Sequence, residues 1–218
     1  SNMLRMLRDK VLVRKMVGIE TSGSMNILFT DKTGTLTSGN LEMCRVLCGD
    51  GRVAASQAER DRLGAVLDYL ALSGHYNSAA AVTKAGVTGG NATDRALLRP
   101  FAPMSRQAMG FETVQKLPFD SARKYSAVHI RRGGESVSLI KGAPEKLLPH
   151  CRQCYHPSGR VHPISSAAVH REWKAMTDGA LRVVAVATAQ REITEGGTLP
   201  ELTLVALVGI RDELRPST

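Results

Sequence analysis

The sequence predicts a mixed fold in which a parallel α/β unit is interrupted by an inserted α+β unit. Residues 26–29 ("NILF"), followed by turn-prone residues, are typical of a strand that ends at the carboxyl edge of a sheet. A second strand of buried type, "LVALVGIRD" at residues 204–212, lies near the other end of the chain. A long stretch of mixed helices and strands separates the two. This order indicates a chain that leaves a parallel sheet for the insertion and later returns to it.

Local patterns predict the first elements of the insertion. Residues 38–43 ("SGNLEM") predict a strand-like connector, and the Gly-rich residues 48–56 ("CGDGRVAAS") predict a surface loop or hairpin. A helix is predicted over residues 58–74, where apolar residues share one face and Gly74 would end it. Residues 82–102 are expected to form a loop followed by a short helix that begins near Thr93.

The second half of the insertion is richer in strands. Residues 112–119, 124–131 and 136–142 predict three strands, the last two joined by a Gly133-Gly134 hairpin turn. Two helices follow, one with Pro144 in its first turn and one capped by Ser165 or Ser166 and ended by Gly179. Strands at residues 181–191 and 202–212 complete the series.

The composition indicates one large or two modest domains with a buried core. The chain has 218 residues, of which 43% are hydrophobic. Its longest apolar stretches, such as residues 183–189 ("VVAVATA"), are shorter than the roughly 20 residues that a membrane-spanning helix requires. We therefore expect no membrane span in this chain, and the basic residues within positions 1–15 argue against a signal peptide.

Four cysteines are too few for a disulfide scaffold and favour a reducing, cytosolic setting. Residues 150–162 ("HCRQCYHPSGRVH") bring cysteines and histidines close in sequence, so a zinc site is an alternative. The segment has one CxxC without a second one, and its spacing matches no common zinc finger. We therefore expect these cysteines and histidines to lie in a solvent-exposed loop.

The formal net charge of +9 points first to a nucleic-acid ligand. The basic residues are scattered, however, and only four Phe, four Tyr and one Trp could stack on bases, so we expect no nucleic-acid partner. Attraction of a polyanionic nucleotide, or a position near an anionic membrane surface, fits the charge better. Leu4, Leu7 and Val11 lie at helical spacing among basic residues, which predicts either the end of an amphipathic helix or an ordinary helix with a solvated basic face.

The segment "TDKTGTLT", residues 30–37, carries the clearest chemistry in the sequence. Asp31 at a strand end could attack a phosphoryl group as a nucleophile, and Lys32 could offset the added negative charge. Gly34 lets the backbone approach a phosphate, and the neighbouring threonine hydroxyls can donate to its oxygens. Judged from residue types alone, a threonine-rich polar turn without a catalytic role is an equal alternative.

Residues 31–37, Asp-Lys-Thr-Gly-Thr-Leu-Thr, resemble letter for letter the phosphorylation signature of the P-type ion-motive ATPases. The resemblance implies that ATP phosphorylates Asp31 in a catalytic loop shared with Lys32 and Thr33, and that the Asp31 carboxylate and the Thr33 carbonyl hold Mg²⁺. Soluble phosphatases of the haloacid-dehalogenase type are the alternative, because they resemble the segment in its strand and nucleophile. They place a second aspartate where this chain has Thr33, which cannot act as a general base, so a long-lived phosphoenzyme is favoured.

Two further segments resemble nucleotide-domain motifs of the calcium-pump-like members of this family: "LPFDSARKYSAV" at residues 117–128 and "LIKGAPE" at residues 139–145. The resemblance assigns Phe119 to stacking on adenine, and Lys124 and Lys141 to the ring edge and the phosphates. A core phenylalanine and solvated lysines are the alternative, which spacing alone would favour.

Weaker or shorter matches assign five more residues to the nucleotide site. Gly142 would let the ring approach the backbone, and Arg182 in "GALRVVA" would contact the phosphates. Asp94 in "GGNATDRALL" stands where the cation pumps usually carry Glu, so its contact with the adenine amino group is direct, water-mediated or absent. Asp212 and Arg215 in "GIRDELRPS" resemble the hinge motif Asp-Pro-Pro-Arg with both prolines replaced, which retains a hinge and ribose role but not the stiffness of proline.

The resemblance also implies a division of the chain. Residues 1–20 would be a stalk segment with a tag remnant, and residues 21–40 would be the first piece of a haloacid-dehalogenase-like parallel α/β phosphorylation domain. Residues 41–203 would form an inserted nucleotide-binding domain with an antiparallel sheet and helices. Residues 204–218 would return into the phosphorylation domain.

The same resemblance implies partners and a location. We expect ATP and Mg²⁺ as ligands, a transported cation, and the remaining phosphorylation, actuator and membrane domains of a longer chain at the cytoplasmic face of a membrane. The later family motifs "TGD" and "GDGxND" do not occur in the sequence, so we expect this chain to bind ATP without turning it over. A plain nucleotide-binding module is the third alternative.

Overall fold

The computed structural model describes residues 2–8, 23–24, 26–27, 29, 37–104 and 109–214. These residues form a nine-stranded sheet with helices on both faces, together with a separate two-stranded hairpin.

The strands are β1 (Thr37–Leu47), β2 (Val53–Ala54), β3 (Ala80–Thr83), β4 (Gly86–Gly89), β5 (Glu112–Leu117), β6 (Tyr125–Arg132), β7 (Glu135–Gly142), β8 (Cys151–Tyr155), β9 (Val161–Pro163), β10 (Arg182–Ala189) and β11 (Leu202–Leu214). The α-helices are α1 (Asn2–Arg8), α2 (Gln57–Arg60), α3 (Ala65–Tyr76), α4 (Ala92–Leu98), α5 (Pro144–Leu147) and α6 (Ser166–Asp178). Single 3₁₀ turns follow α2, α4 and α5 at Asp61–Leu63, Arg99–Phe101 and Leu148–His150.

The large sheet is almost entirely antiparallel. Its strands lie in the order β2-β1-β11-β10-β7-β6-β5, and β8 pairs with both β11 and β9. Among the strand pairs of the described residues, only β8 and β11 run parallel. The predicted antiparallel sheet with helices is therefore confirmed.

The expected parallel direction of residues 204–212 is wrong. These residues lie in β11, which is antiparallel to β1 on one side and to β10 on the other. Both faces of β11 are buried, and a continuous apolar run fits any strand covered on both faces, whatever its direction. The described residues contain no parallel sheet of the haloacid-dehalogenase type, and the division of the chain into domains stays a prediction.

Side chains of the central strands alternate between two cores. Val184 and Val186 of β10 belong to a cluster with α3 and α4 on one face of the sheet. Ala185 and Ala187 belong to a cluster with α5 and α6 on the other face. The two-residue period of a strand produces this alternation, so the sheet is a middle layer between two layers of helices.

The strand predicted at residues 26–29 is not found among the described residues of that segment. Asn26, Ile27 and Phe29 lie outside any strand, and Ile27 and Phe29 are 71% and 94% exposed. A strand needs a neighbour for its backbone hydrogen bonds, and no described strand pairs with these residues. The helix predicted at the start is confirmed over Asn2–Arg8, whereas Val11 lies outside the described residues.

The helix predicted over residues 58–74 is divided and extends further. Ser56 and Glu59 form a capping box at the start of α2, and Gly64, with a φ of 48°, separates its 3₁₀ turn from α3. Gly74 does not end α3, which continues to Tyr76. A Cβ at Gly74 would lie 3.1 Å from the Leu97 carbonyl oxygen, so this glycine serves the close packing of α3 on α4.

Most of the remaining elements agree with the sequence. The expected loop over residues 82–91 instead contains part of the β3–β4 hairpin. The α4 helix that follows has Asn91 as its N-cap. Pro144 begins α5, Ser165 is the N-cap of α6, and the turn between β6 and β7 lies at Gly133-Gly134. No helix in the described part of the chain combines the length and the hydrophobicity needed to span a membrane.

The expectation of solvent-exposed loop cysteines at residues 150–162 is wrong. Cys151 and Cys154 lie on β8, are 6% and 2% exposed, and both belong to the α5–α6 core. They are three residues apart, so regular alternation would place them on opposite faces, and an irregularity in the pairing of β8 with β11 between them brings both into the same core. Burial raises the pKa of the Cys151 thiol to about 12. All four cysteines are free thiols, and the described residues hold no group of three or more His, Cys, Asp or Glu arranged to bind a metal.

Replacing Gly142 by alanine should destabilise the fold. An added Cβ would lie 2.5 Å from the Tyr125 Cβ and 2.6 Å from the Lys124 carbonyl oxygen. We expect the free energy of unfolding to fall by about 1–3 kcal/mol, measured by urea unfolding followed by circular dichroism. Gly134→Ala is the control, because nothing lies within 4 Å of a Cβ there. An equal loss in both variants would contradict the packing explanation.

Candidate functional site

One cleft collects most of the residues that the sequence assigned to nucleotide binding. It has a volume of about 900 Å³ and is lined by residues from the end of α3, from α4, and from the ends of β5, β6, β7 and β10. Six of the eight predicted nucleotide-binding residues line it: Asp94, Phe119, Lys124, Lys141, Gly142 and Arg182. The structure thus brings together residues that lie far apart in the sequence, while their role as nucleotide contacts stays a prediction.

The floor of the cleft is a buried ion pair between β7 and α4. Lys141 Nζ lies 2.5 Å from Asp94 Oδ1, and each side chain is only 9% exposed. Lys141 Nζ also donates to the Asn77 carbonyl oxygen at 2.6 Å. The view of Lys141 as a solvated surface lysine is therefore wrong, because β7 directs its side chain towards the helices that cover the sheet.

Two backbone amides fix the position of Asp94. The Asn91 side chain caps α4 because its Oδ1 accepts a hydrogen bond from the Asp94 amide at 2.8 Å. The other carboxylate oxygen, Oδ2, accepts the Ala79 amide at 3.2 Å. Each carboxylate oxygen of Asp94 therefore already has a protein donor, and its contact with adenine stays a prediction.

The electrostatics of the floor follow from this burial. Burial lowers the pKa of the Lys141 ammonium below its ordinary value, and the facing Asp94 carboxylate offsets part of that effect. Lys116, a second lysine lining the cleft, adds a smaller lowering by like-charge repulsion. The pKa of Lys141 thus depends on the Asp94 carboxylate that faces it.

Asn77 is a residue of the cleft that the sequence did not predict. It is 2% exposed, and its side-chain Nδ2 donates to the carbonyl oxygens of Ser126 at 3.2 Å and Leu139 at 3.0 Å. Its backbone oxygen accepts from Lys141, so one residue at the end of α3 contacts both β6 and β7. The available signal was an asparagine directly after a helix, which is a common cap and not specific to a site.

The rim of the cleft carries an aromatic ring and two cations. Phe119 is 58% exposed, which overturns the view of it as a core phenylalanine. Lys124 Nζ lies 3.3 Å from Glu145, and Arg182 donates to Thr93 Oγ1 at 3.1 Å. Glu145 is exposed and Thr93 is half-buried, so these interactions are weak and the cations stay accessible to a ligand.

A backbone hydrogen bond joins the two motifs that line the cleft. The Ala143 amide donates to the Lys124 carbonyl oxygen at 3.0 Å, and Lys124 itself has a φ of 60°, which is unusual for a residue other than glycine. The absent side chain of Gly142 permits this close approach. The structure therefore gives Gly142 a packing role, while an approach of the base to its backbone stays a prediction.

The charge of the cleft favours an anion. Among the described lining residues the cations are Lys116, Lys124, Lys141 and Arg182, and the acid is Asp94. Lys116 was not predicted to bind. Its Nζ donates to the Ser78 carbonyl oxygen at 2.8 Å.

Of the other predicted residues, the structure describes Asp212, which does not line this cleft. Asp212 lies on β11, where its carboxylate accepts from Thr37 Oγ1 at 2.6 Å. The predicted catalytic residues Asp31, Lys32 and Thr33, and the predicted nucleotide-binding residue Arg215, lie outside the described residues. The proposed Mg²⁺ ligands are among them. Their carboxylate and carbonyl oxygens suit Mg²⁺ in chemistry, and their arrangement stays a prediction.

An open cleft with a cationic rim, an exposed aromatic ring and a polar floor, set on an antiparallel sheet, defines a domain suited to an anionic ligand with an aromatic part. The family model described as "P-type ATPase, cytoplasmic domain N" matches residues 67–217, more than half of the chain. The chain belongs to this family.

Relatives across almost the whole chain agree with this assignment. Calcium-transporting ATPase 1 of Yarrowia lipolytica is 30% identical over 239 residues, which cover 98% of this chain and 26% of the relative. Calcium-transporting ATPase 12, plasma membrane-type, of Arabidopsis thaliana is 30% identical over 234 residues, covering 99% of this chain and 22% of the relative. Calcium-transporting ATPase type 2C member 1 of Bos taurus is 28% identical, covering 97% and 24%. The chain therefore spans about a quarter of the length of these relatives and is a calcium-pump-like P-type ATPase segment.

Replacing Asp94 by asparagine should destabilise the fold, because it leaves the Lys141 charge buried without a counter-charge. We expect the free energy of unfolding to fall by about 3 kcal/mol near neutral pH. Asp178→Asn is the matched control, because Asp178 pairs with Lys174 at 2.7 Å on the surface, with both side chains more than 60% exposed. Loss of this surface ion pair should lower the free energy of unfolding by under about 1 kcal/mol.

The loss in Asp94→Asn should also depend on pH. Because the folded-state pKa of Lys141 is lowered, the charged lysine costs stability, and this cost is relieved as pH rises through the folded pKa. Without the Asp94 charge that pKa falls further, so the variant gives up the proton at a lower pH than the parent chain. The deficit should shrink between about pH 7 and about pH 9.5 in urea unfolding. A deficit that is constant or grows would show that Lys141 is not its source.

Proposed function

We propose that this chain is the ATP-binding and phosphorylation-site part of a cation-transporting P-type ATPase. The observation that carries the proposal is the convergence of the six predicted residues in one cleft. Membership of the cytoplasmic domain N family and the similarity to calcium-transporting ATPases support it.

The shape and charge of the cleft suggest how ATP lies in it. Phe119 offers an exposed ring face at the rim for the adenine. The buried polar floor around Lys141 can hydrogen-bond to the edge of the base, and Lys124 and Arg182 at the rim can pair with the phosphates. Because the cleft is open to solvent, we expect a dissociation constant in the high micromolar to millimolar range, a free energy of about 4–6 kcal/mol.

We further propose that in the full-length pump Asp31 receives the γ-phosphoryl group. A carboxylate oxygen of Asp31 attacks the γ-phosphorus, the bond to the β–γ bridging oxygen breaks, and ADP leaves with that bond's electron pair. Bound Mg²⁺ would offset phosphate charge at Asp31 and Thr33, and Lys32 would add to this. The partners are then the other phosphorylation, actuator and membrane domains of the pump at the cytoplasmic face of a membrane, and the cation that it moves.

Replacing Phe119 by alanine should weaken ATP binding by one to two orders of magnitude, because the stacking of a base on an aromatic ring contributes about 1–3 kcal/mol. Isothermal titration calorimetry with ATP measures the change. Val114→Ala is the control, since Val114 is also exposed, at 44%, on the neighbouring β5 but does not line the cleft. Unchanged affinity in Phe119→Ala, with the parent chain binding ATP, would reject the stacking role.

This 218-residue chain should bind ATP without forming the phosphoenzyme. In-line attack needs the γ-phosphoryl group about 3 Å from the carboxylate, and a displacement of about 1 Å can cost about 10²-fold in rate. We would mix the chain with Mg²⁺ and γ-labelled ATP, quench in acid and count the label on protein. Near-stoichiometric label that is lost in Asp31→Asn would show that the chain alone is catalytically complete. In the full-length pump, the label should appear and depend on Asp31.

A further inference from the structure

Ser126 places an unused hydroxyl at the floor of the cleft. It is the second residue of β6, it is 5% exposed, and it lines the cleft. Its Oγ is buried and has no hydrogen-bond partner among the described residues. A buried hydroxyl without a partner is unfavourable, so a ligand that supplies one gains affinity.

The neighbours of Ser126 are the residues of the buried ion pair. Ser126 lies directly opposite Lys141 in the β6–β7 register, so the two side chains share one face of the sheet. The Ser126 backbone oxygen accepts a hydrogen bond from the Asn77 side chain, and the Asn77 backbone oxygen accepts one from Lys141. The hydroxyl is therefore part of the polar floor, not an isolated core group.

Few hydrogen-bonding groups in the floor are still available to a ligand. Each carboxylate oxygen of Asp94 already accepts from Lys141 or from Ala79. Lys141 donates two of its three ammonium protons, to Asn77 and Asp94. Besides the remaining lone pairs of Asp94, the described floor can still offer one N–H donor of Lys141 and the hydroxyl of Ser126, which can accept as well as donate.

This pair of groups complements one edge of adenine. Adenine carries a 6-amino donor next to a ring-nitrogen acceptor. We propose that Ser126 is a specificity-determining residue that accepts from the 6-amino group of adenine, with Lys141 donating to the adjacent ring nitrogen. The proposal rests on the ATP binding proposed above, and it gives Ser126 the contact that the sequence had assigned to Asp94. Rotation about the Cα–Cβ bond of serine, which has three staggered positions, can turn the hydroxyl towards the base.

Comparison of two nucleotides on two proteins tests the proposal. ATP and purine riboside triphosphate, which lacks the 6-amino group, would be titrated into the parent chain and into Ser126→Ala by NMR chemical-shift titration. We expect the parent chain to prefer ATP by about tenfold and Ser126→Ala to bind the two nucleotides within about twofold of each other. A change that merely loosens the cleft would weaken both nucleotides equally and leave their ratio unchanged.

Ser73→Ala is the matched control. Ser73 is also buried, at 2% exposure, and its Oγ also has no partner among the described residues, but it does not line the cleft. It should retain the tenfold preference. Should Ser126→Ala fail to fold, Ser126→Cys keeps the size of the side chain but is a weak hydrogen-bond partner, and it should lose the preference in the same way.

The outcomes separate the two proposals. A preference for ATP that persists in Ser126→Ala or Ser126→Cys, or that Ser73→Ala also abolishes, would overturn the role of Ser126 and leave ATP binding intact. A parent chain that binds both nucleotides equally would also overturn it. No binding of either nucleotide by the folded parent chain would overturn the proposed function itself.

Discussion

The buried pair of Lys141 and Asp94 is the interaction on which the cleft depends. Removing two charges from water is expensive, so the pair persists only because neighbouring groups complete its hydrogen bonds. Asn77 and Ala79 supply those bonds, and both lie on the segment that follows α3. The pair therefore connects β7, α4 and the end of α3 at one point. A loss of either charge would disturb the fold and the shape of the cleft together, because the same atoms support both.

The charges are arranged in two layers with different energetics. In the floor, Lys141 faces Asp94, and little net charge remains to attract a distant ligand. At the rim, the partners of Lys124 and Arg182 are partly exposed to water, which screens these interactions. Breaking them to bind a ligand therefore costs little free energy. This division suits a nucleotide, whose base needs directed hydrogen bonds and whose phosphates need mobile cations. Lys116 extends the cationic rim along the edge strand β5.

The large sheet holds the residues of the cleft in fixed positions relative to one another. β11 and β10 are buried on both faces and form the middle of a closely packed layer, and β7 and β6 continue it towards the cleft. At the end of β7, Gly142 lets β6 approach, and the Ala143 amide bonds to the Lys124 carbonyl oxygen. The two sequence motifs are thus one structural unit, held by backbone contacts that no side-chain pattern reveals.

The sequence by itself determined most of the strands and helices after residue 37, because alternation, glycine turns and caps act locally. It also determined the family and the set of candidate residues, since the motifs around Phe119 and Lys141 are contiguous. It could not determine the direction of β11, because an apolar run is buried equally well in either direction. It could not determine that Cys151 and Cys154 are in the core, that Asp94 is bonded to Lys141, or that Asn77 and Ser126 line the floor. Those facts depend on residues brought together from distant segments, and only the tertiary structure decides which polar groups find partners and which are left for a ligand.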